Sequence, residues 1–246
     1  MHNRFFCPSE NISEKVITIN DKKEIHHIVD VLRFGIESDI TIFNGEGFEF
    51  EGKIKEISKN SIRIMIENKY ESKRRPFEIT LACAVPKKAK FDFIVEKLTE
   101  LGVDRIIPLE TERSEVRYKK DRMLEKVGHW RQVAINASKQ SQRSYIPQIE
   151  EVQNFKNVIS KLENYDLALF PTLEGERVHL AEALKGFKER RIIIFIGPEG
   201  DFSEEEADLA RKSGCKLVTL GENVLKVDTA AITVVAVLNS ILESKI

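Results

Sequence analysis

The sequence predicts an α/β fold on a mostly parallel sheet, preceded by a small β-rich N-terminal domain. Three observations predict it. From Phe77 onward, strand-like and helix-like segments alternate, the rhythm of a parallel sheet covered on both faces. Ile192-Ile-Ile-Phe-Ile196 is an uninterrupted apolar run of the kind a central parallel strand carries. Residues 1–70 instead show period-two alternation, and the charged, prolyl stretch Glu71-Ser-Lys-Arg-Arg-Pro76 breaks both patterns. Domains are therefore expected at 1–72 and 76–246, and a chain of 246 residues can bury a core in each.

In the first domain, Val16–Asn20 reads as a strand, and Asp21–Arg33 has helical spacing through Ile25, Ile28, Val29 and Leu32. Asp39–Asn44 is a strand, and Gly45-Glu-Gly47 turns it into Phe48–Ile57, where Phe48, Phe50 and Ile54 mark a half-buried face. Ser61–Glu67 alternates through Ile62, Ile64 and Ile66. Short strands around one helix suggest a small barrel. In the second domain, strands are expected at Glu78–Val85, Arg105–Leu109, Tyr165–Phe170, Arg191–Ile196 and Lys216–Leu220. Helices are expected at Lys87–Leu101 (stopped by Gly102), Asp121–Ser141, Arg177–Leu184, Ser203–Ser213 and Thr229–Glu243. Ser203-Glu-Glu-Glu206 fits an S-x-x-E capping box.

Composition excludes several classes. Hydrophobic residues make up 41%, which rules out wholesale disorder, and charged residues 32%. The uncharged stretch Thr229–Leu242 falls short of the roughly 20 apolar residues of a membrane span. Met1–Pro8 contains no apolar run of signal-peptide length, so a soluble, cytoplasmic protein is expected. Cys7, Cys83 and Cys215 are odd in number, far apart and without a C-x-x-C pair, and read as buried reduced thiols. No H-E-x-x-H occurs among His2, His26, His27, His129 and His179, and no metal is expected.

Net charge is only -1, yet residues 86–143 hold 14 basic side chains against 9 acidic ones. Such a segment is either a polyanion-facing surface or a helix face laced with Glu/Lys pairs.

In an open parallel sheet, ligands bind at the carboxyl ends of the strands. Three loops of unusual composition leave such ends: Phe170-Pro-Thr172, Gly197-Pro-Glu-Gly-Asp201 and Gly221-Glu-Asn-Val-Leu-Lys-Val-Asp228. Glycines 197 and 200 permit positive φ and bare-backbone contact, and Pro198 stiffens the turn. Neither G-x-G-x-x-G nor G-x-x-x-x-G-K-[ST] is present, and Glu199 and Asp201 would repel phosphates. A phosphate-free ligand read by backbone hydrogen bonds suits this loop, although a plain structural turn explains it equally. Asp228 reads as the N-cap of the last helix or as a functional acid.

These motifs carry a resemblance. Ile196-Gly-Pro-Glu-Gly200, Leu220-Gly-Glu-Asn-Val-Leu-Lys-Val-Asp-Thr-Ala230 and Lys139-Gln-Ser-Gln-Arg143…Pro147 resemble the RsmE family of 16S rRNA (uracil-N3)-methyltransferases, of the SPOUT class. Arg4-Phe-Phe6, His26-His27…Val31-Leu-Arg33, Leu98-Thr-Glu-Leu-Gly102 and Ile107-Pro-Leu109 are similar to the same family, in order along nearly the whole chain. Lys226 and Asp228 stand where that family more often has Arg and Glu, and Lys139 where many members carry an acid.

The resemblance implies a trefoil-knotted SPOUT sheet, where patterning alone predicts an ordinary doubly wound one, and a PUA-like RNA-binding barrel before it. It implies S-adenosylmethionine as methyl donor, held by Pro171, Thr172, Ile196, Gly197, Glu199 and Gly200 around ribose and methionine. Leu220, Gly221, Asn223, Val224 and Leu225 would hold the adenine side. The implied reaction methylates N3 of a uridine in 16S rRNA of the small ribosomal subunit. Arg143 and Lys226 are the candidate cations near the uracil carbonyls, and Asp228 the candidate base. Arg4, Arg33, Lys87, Lys88, Lys90 and Lys139 are the candidate RNA contacts. A homodimer is implied, with Ile232, Val235, Leu238 and Leu242 of the last helix as either its interface or plain core. The rival reading is a non-catalytic RNA-binding or ribosome-assembly factor on the same fold.

Overall fold

The structure, a computed structural model, describes residues 4–87, 90–114, 120–173, 175–187 and 190–244. It forms two compact units, Met1–Arg74 with Ser138–Ile146, and Arg75–Ala137 with Pro147–Ile246. The first break falls inside Glu71–Pro76, but the second unit is interrupted: residues 138–146 leave it and join the first.

The first unit contains β1 (Arg4–Phe6), β2 (Val16–Ile19), α1 (Lys22–His26), β3 (Asp39–Phe43), β4 (Phe48–Ile57) and β5 (Ile62–Glu71). The sheet runs β1-β3-β4-β5-β2, with β1 parallel to β3 and every other pair antiparallel. Register shifts at Glu51/Gly52 and Ile54/Glu56 deepen its twist. The edges approach where the Cys7 thiol meets the Thr18 carbonyl oxygen at 3.7 Å. Phe5, Ile17, Ile19, Ile42, Phe50, Ile54, Ile62 and Ile64 fill the inside together with Ile25 and Ile28. Asp21 caps α1 through the N–H groups of Lys23 and Glu24. The predicted helix continues past His26 as a single π turn over His27–Val31.

Residues 138–146 lock onto this unit through the Gly45–Gly47 turn. Gly45 and Gly47 have φ of +78° and +102°. A Cβ at Gly45 would strike the Ile146 side chain, and one at Gly47 the Tyr145 ring. Backbone bonds from Ile146 N–H to Gly45 O (2.9 Å) and from Gly47 N–H to Ser144 O (3.0 Å) fasten the contact.

The second unit carries β6 (Glu78–Ala84), α2 (Lys90–Glu100), β7 (Arg105–Glu110), α3 (Lys120–Gln140), β8 (Gln148–Ile149), β9 (Gln153–Asn154) and α4 (Phe155–Ile159). After these come β10 (Leu167–Pro171), β11 (Val178–His179), α5 (Leu180–Ala183), β12 (Arg191–Ile196), α6 (Glu204–Lys212), β13 (Lys216–Thr219) and α7 (Val227–Glu243). The order is β11-β13-β10-β12-β6-β7-β8, with β9 also on β7, and every ladder is parallel. The apolar run 192–196 is the strand β12, between β10 and β6, and both its faces are covered. Ile193 and Phe195 join a cluster with Phe155, Val158 and Ala210, from α4 and α6. The alternate residues Ile192, Ile194 and Ile196 are equally buried, and α7 packs on β6 and β12.

Two expectations change here. The helix expected at Arg177–Leu184 begins only at Leu180, because Val178 and His179 pair instead with Val218 and Thr219 as an edge strand. Val235, Leu238 and Leu242 of α7 are buried inside the chain, which removes them as a dimer surface, and Ile232 is half-buried.

Candidate functional site

Strands β13, β10 and β12 are neighbours and parallel, so the loops leaving them emerge at one end of the sheet. There they enclose a pocket of about 230 Å³. Pro171 and Thr172 line it from β10, and Ile196, Gly197 and Glu199 from β12. Leu220, Gly221, Asn223, Val224 and Leu225 line it from β13. The three loops singled out in the sequence are therefore brought together. Gly200 alone of the expected set is not a lining residue; its carbonyl oxygen instead accepts from Arg113 Nη1 at 2.8 Å.

The Gly197–Asp201 loop works differently from the expectation. Neither Gly197 nor Gly200 takes a positive φ; Asp201 does, at +57°. Gly197 is needed for close packing, because a Cβ there would stand 3.0 Å from the Phe202 ring. Pro198 O accepts from Asp201 N–H at 3.0 Å to close the turn. The Asp201 carboxylate accepts from Phe202 N–H at 2.8 Å and from Leu173 N–H at 3.2 Å. Glu199 accepts from Lys87 N–H at 3.4 Å. The expected capping box is present: Ser203 Oγ accepts from Glu206 N–H, and Glu206 accepts from Ser203 N–H.

Lys226 lines the pocket and is itself the N-cap of α7, so Asp228 is not the cap. Asp228 lies in the first helical turn, half-buried and outside the lining, with its carboxylate accepting from Thr229 N–H at 2.9 Å. Three polar lining residues lie outside the expected set: Thr219, Asp201 and Arg177. Asp201 was read only as a repeller of phosphate. Arg177, whose Nη1 donates to Thr172 O at 2.9 Å, was hidden inside a predicted helix.

An RNA methyltransferase domain family matches residues 73–239, and an RNA methyltransferase PUA domain family matches 19–67. Ribosomal RNA small subunit methyltransferase E of Buchnera aphidicola subsp. Acyrthosiphon pisum is 30% identical over 218 residues, 87% of this chain and 84% of the relative. The chain belongs to the ribosomal RNA small subunit methyltransferase E family. Its relative of the same designation in Rickettsia conorii is 29% identical over 96% of this chain and 94% of its own. The methyltransferase E of Neisseria gonorrhoeae, solved bound to S-adenosyl methionine, superposes with a TM-score of 0.85 at 25% identity, covering 98% of both chains. A Legionella pneumophila protein solved with bound SAM gives a TM-score of 0.86 at 29% identity, again over 98% of both.

For this family member the other expected site residues fall in several places. Arg143 belongs to the first unit, half-buried, with its N–H bonded to Ser138 O at 3.1 Å. Arg4 is not an open phosphate contact. It is 6% exposed, and its guanidinium bonds Glu49 at 2.7 Å, Ser138 O at 2.9 Å and Ser144 Oγ at 3.1 Å. Lys139 is likewise consumed, in an ion pair with the nearly buried Glu24. Arg33 (φ +60°), Lys87 and Lys90 are exposed, and Lys88 lies outside the described residues. Elsewhere in the basic segment, Lys97 pairs with Glu96 and Glu100, and Arg105 with Glu150, so part of that charge is answered within the chain.

Proposed function

We propose that this chain transfers a methyl group from S-adenosylmethionine to N3 of a uridine in 16S rRNA of the small ribosomal subunit. The observation that carries the reading is the pocket at the ends of β13, β10 and β12, walled by the three motif loops. Its lining suits an adenosyl ligand with a zwitterionic tail. Ile196, Leu220, Leu225 and Val227 offer apolar surface, and the acids Glu199 and Asp201 disfavour a phosphate. Bound there, S-adenosylmethionine supplies a methyl group on a positively charged sulfur, open to attack by a nucleophilic nitrogen.

The chain's own task is to position that nitrogen and manage its proton. Lys226, at the pocket and at the start of α7, favours negative charge on the uracil carbonyls. Arg143 is proposed as a second cation for the target base. Asp228, one residue past the pocket-lining Val227, is proposed to accept the N3 proton. Arg33, Lys87 and Lys90 supply exposed charge for the RNA backbone, and an unpaired, splayed uridine is the form such a site reads.

We place the protein in the cytoplasm, as a homodimer. Among the described residues no helix is long and apolar enough to cross a membrane. Since α7 spends Val235, Leu238 and Leu242 internally, a second copy would meet its other side, where Val237 is exposed. A monomer mass by light scattering at micromolar concentration would remove the dimer.

The deciding experiment is methyl transfer to small subunits that lack native methylation, with nucleosides resolved by mass spectrometry. New 3-methyluridine is expected. A methyl on another atom would overturn the nucleotide assignment, and no methyl with RNA still bound would favour the non-catalytic reading.

A further inference from the structure

Four charged residues line the pocket: Arg177, Glu199, Asp201 and Lys226. Two of them, Arg177 and Asp201, are tied to adjacent residues just after β10, Thr172 and Leu173 respectively. Arg177 Nη1 donates to Thr172 O at 2.9 Å, and Asp201 Oδ2 accepts from the next residue's N–H, Leu173, at 3.2 Å. A cation and an anion are thus gathered at the Thr172–Leu173 side. The lining stretch Thr219–Leu225, apart from Glu222 (outside the lining), brings only uncharged groups, and Lys226 after it adds a cation with no anion from the same loop in the lining.

Asp201 holds its position at a cost. Its φ of +57° lies in the left-handed region, where glycine is the least strained residue. A carboxylate kept at such a position is oriented by its own backbone as well as by Phe202 N–H and Leu173 N–H.

We infer that Arg177 and Asp201 read the amino-acid tail of the adenosyl ligand, Arg177 taking its carboxylate and Asp201 its ammonium. The inference rests on the S-adenosylmethionine reading above and names the two residues that set selectivity for the tail. A guanidinium suits a carboxylate through paired N–H donors, and an acceptor-only carboxylate suits an ammonium. Arg177 also borders a second cleft, beside Arg211 and Lys216, so the competing assignment is that its guanidinium serves that cleft or only braces the loop.

Calorimetric titration of the intact chain separates these possibilities with three ligands. S-adenosylhomocysteine carries both tail charges, decarboxylated S-adenosylmethionine lacks the carboxylate, and methylthioadenosine lacks the whole amino-acid tail. Arg177→Met should weaken S-adenosylhomocysteine about tenfold, the loss of a charge-assisted hydrogen bond, and leave the other two unchanged. Arg177→Lys should recover part of the loss. Asp201→Asn should weaken both ammonium-bearing ligands and spare methylthioadenosine. Asp201→Gly, which removes the side chain while relieving the backbone, should repeat that pattern with an unfolding midpoint no lower than that of Asp201→Asn. Equal loss for all three ligands, or no loss for S-adenosylhomocysteine, overturns the assignment in favour of a bracing role. Failure of the wild-type chain to bind any of the three would overturn the donor reading, and this assignment with it.

Discussion

Asp228 shows how far a single residue can be read. Its place after a strand–loop and before an Ala/Val-rich helix favours a cap somewhat over a catalytic acid, and the structure takes the cap away by giving it to Lys226. The remaining proton-acceptor role predicts that Asp228→Asn lowers kcat about a hundredfold while leaving S-adenosylhomocysteine affinity intact. An unchanged kcat would leave the carboxylate as first-turn helix chemistry only. Lys139 is the reverse case. Its identity was legible as a departure, but its use was not, because Glu24 lies 115 residues away in sequence. Their side chains are only 14% and 11% exposed, so removing either charge strands the other in a poorly solvated place. Glu24→Gln should cost about 3 kcal/mol in chemical denaturation, and the apolar pair Glu24→Leu with Lys139→Met should recover most of it. Equal losses in single and double variants would mean that the pair does not interact. The thiols were read correctly as buried, and all three are free and buried. Burial pushes Cys7 and Cys215 up to about 12 and Cys83 higher still. The thiolate is the nucleophile, so none should react with iodoacetamide at pH 8 until the chain unfolds. Fast labelling of the native protein at any of the three would contradict that burial.

At the scale of elements, legibility followed length and local chemistry. Helix α6 was readable to its first residue because a capping box is written in four consecutive positions, Ser203 to Glu206. Glu206 does more than the motif says, since its second oxygen accepts from Glu112 N–H at 2.9 Å and ties the loop after β7 to the helix start. Ser203→Ala should therefore cost about 1 kcal/mol, and Glu206→Ala more, because it leaves the buried Ser203 N–H and the part-buried Glu112 N–H both unanswered. Equal costs in urea titration would mean that the bond to Glu112 contributes nothing. Strands of two or three residues, such as β1, β8, β9 and β11, carry no periodicity to detect. β11 also had its helix-like spacing overruled by a partner, β13, that follows it in the chain by about forty residues. That misreading hid Arg177, which only the strand places beside Thr172.

At the scale of the whole molecule, the parallel sheet and the three loops that line one pocket were legible in alternation and loop composition, whereas the strand order was not. The discontinuous first unit did not follow, since a return of residues 138–146 is written only in contacts distant along the chain. Those contacts are of a kind the N-terminal segment cannot replace alone. Arg4, 6% exposed, takes two of its three hydrogen-bond partners from Ser138 and Ser144. Glu24 takes its cation from Lys139, and Tyr145 seals the Gly47 turn and donates to Ser72 O at 3.0 Å. Cutting at Arg74 would leave a buried guanidinium and a buried carboxylate short of partners, each a penalty of several kcal/mol against a marginal total. A fragment of residues 1–74 should thus fail to unfold cooperatively by circular dichroism, despite containing every strand of its sheet. The same fragment joined by a flexible linker to residues 138–146 should recover a cooperative transition. If 1–74 unfolds cooperatively unaided, the returning segment is an ornament on a self-sufficient sheet. If both behave as argued, the folding of the N-terminal sheet and the placement of the segment bearing Arg143 are one event.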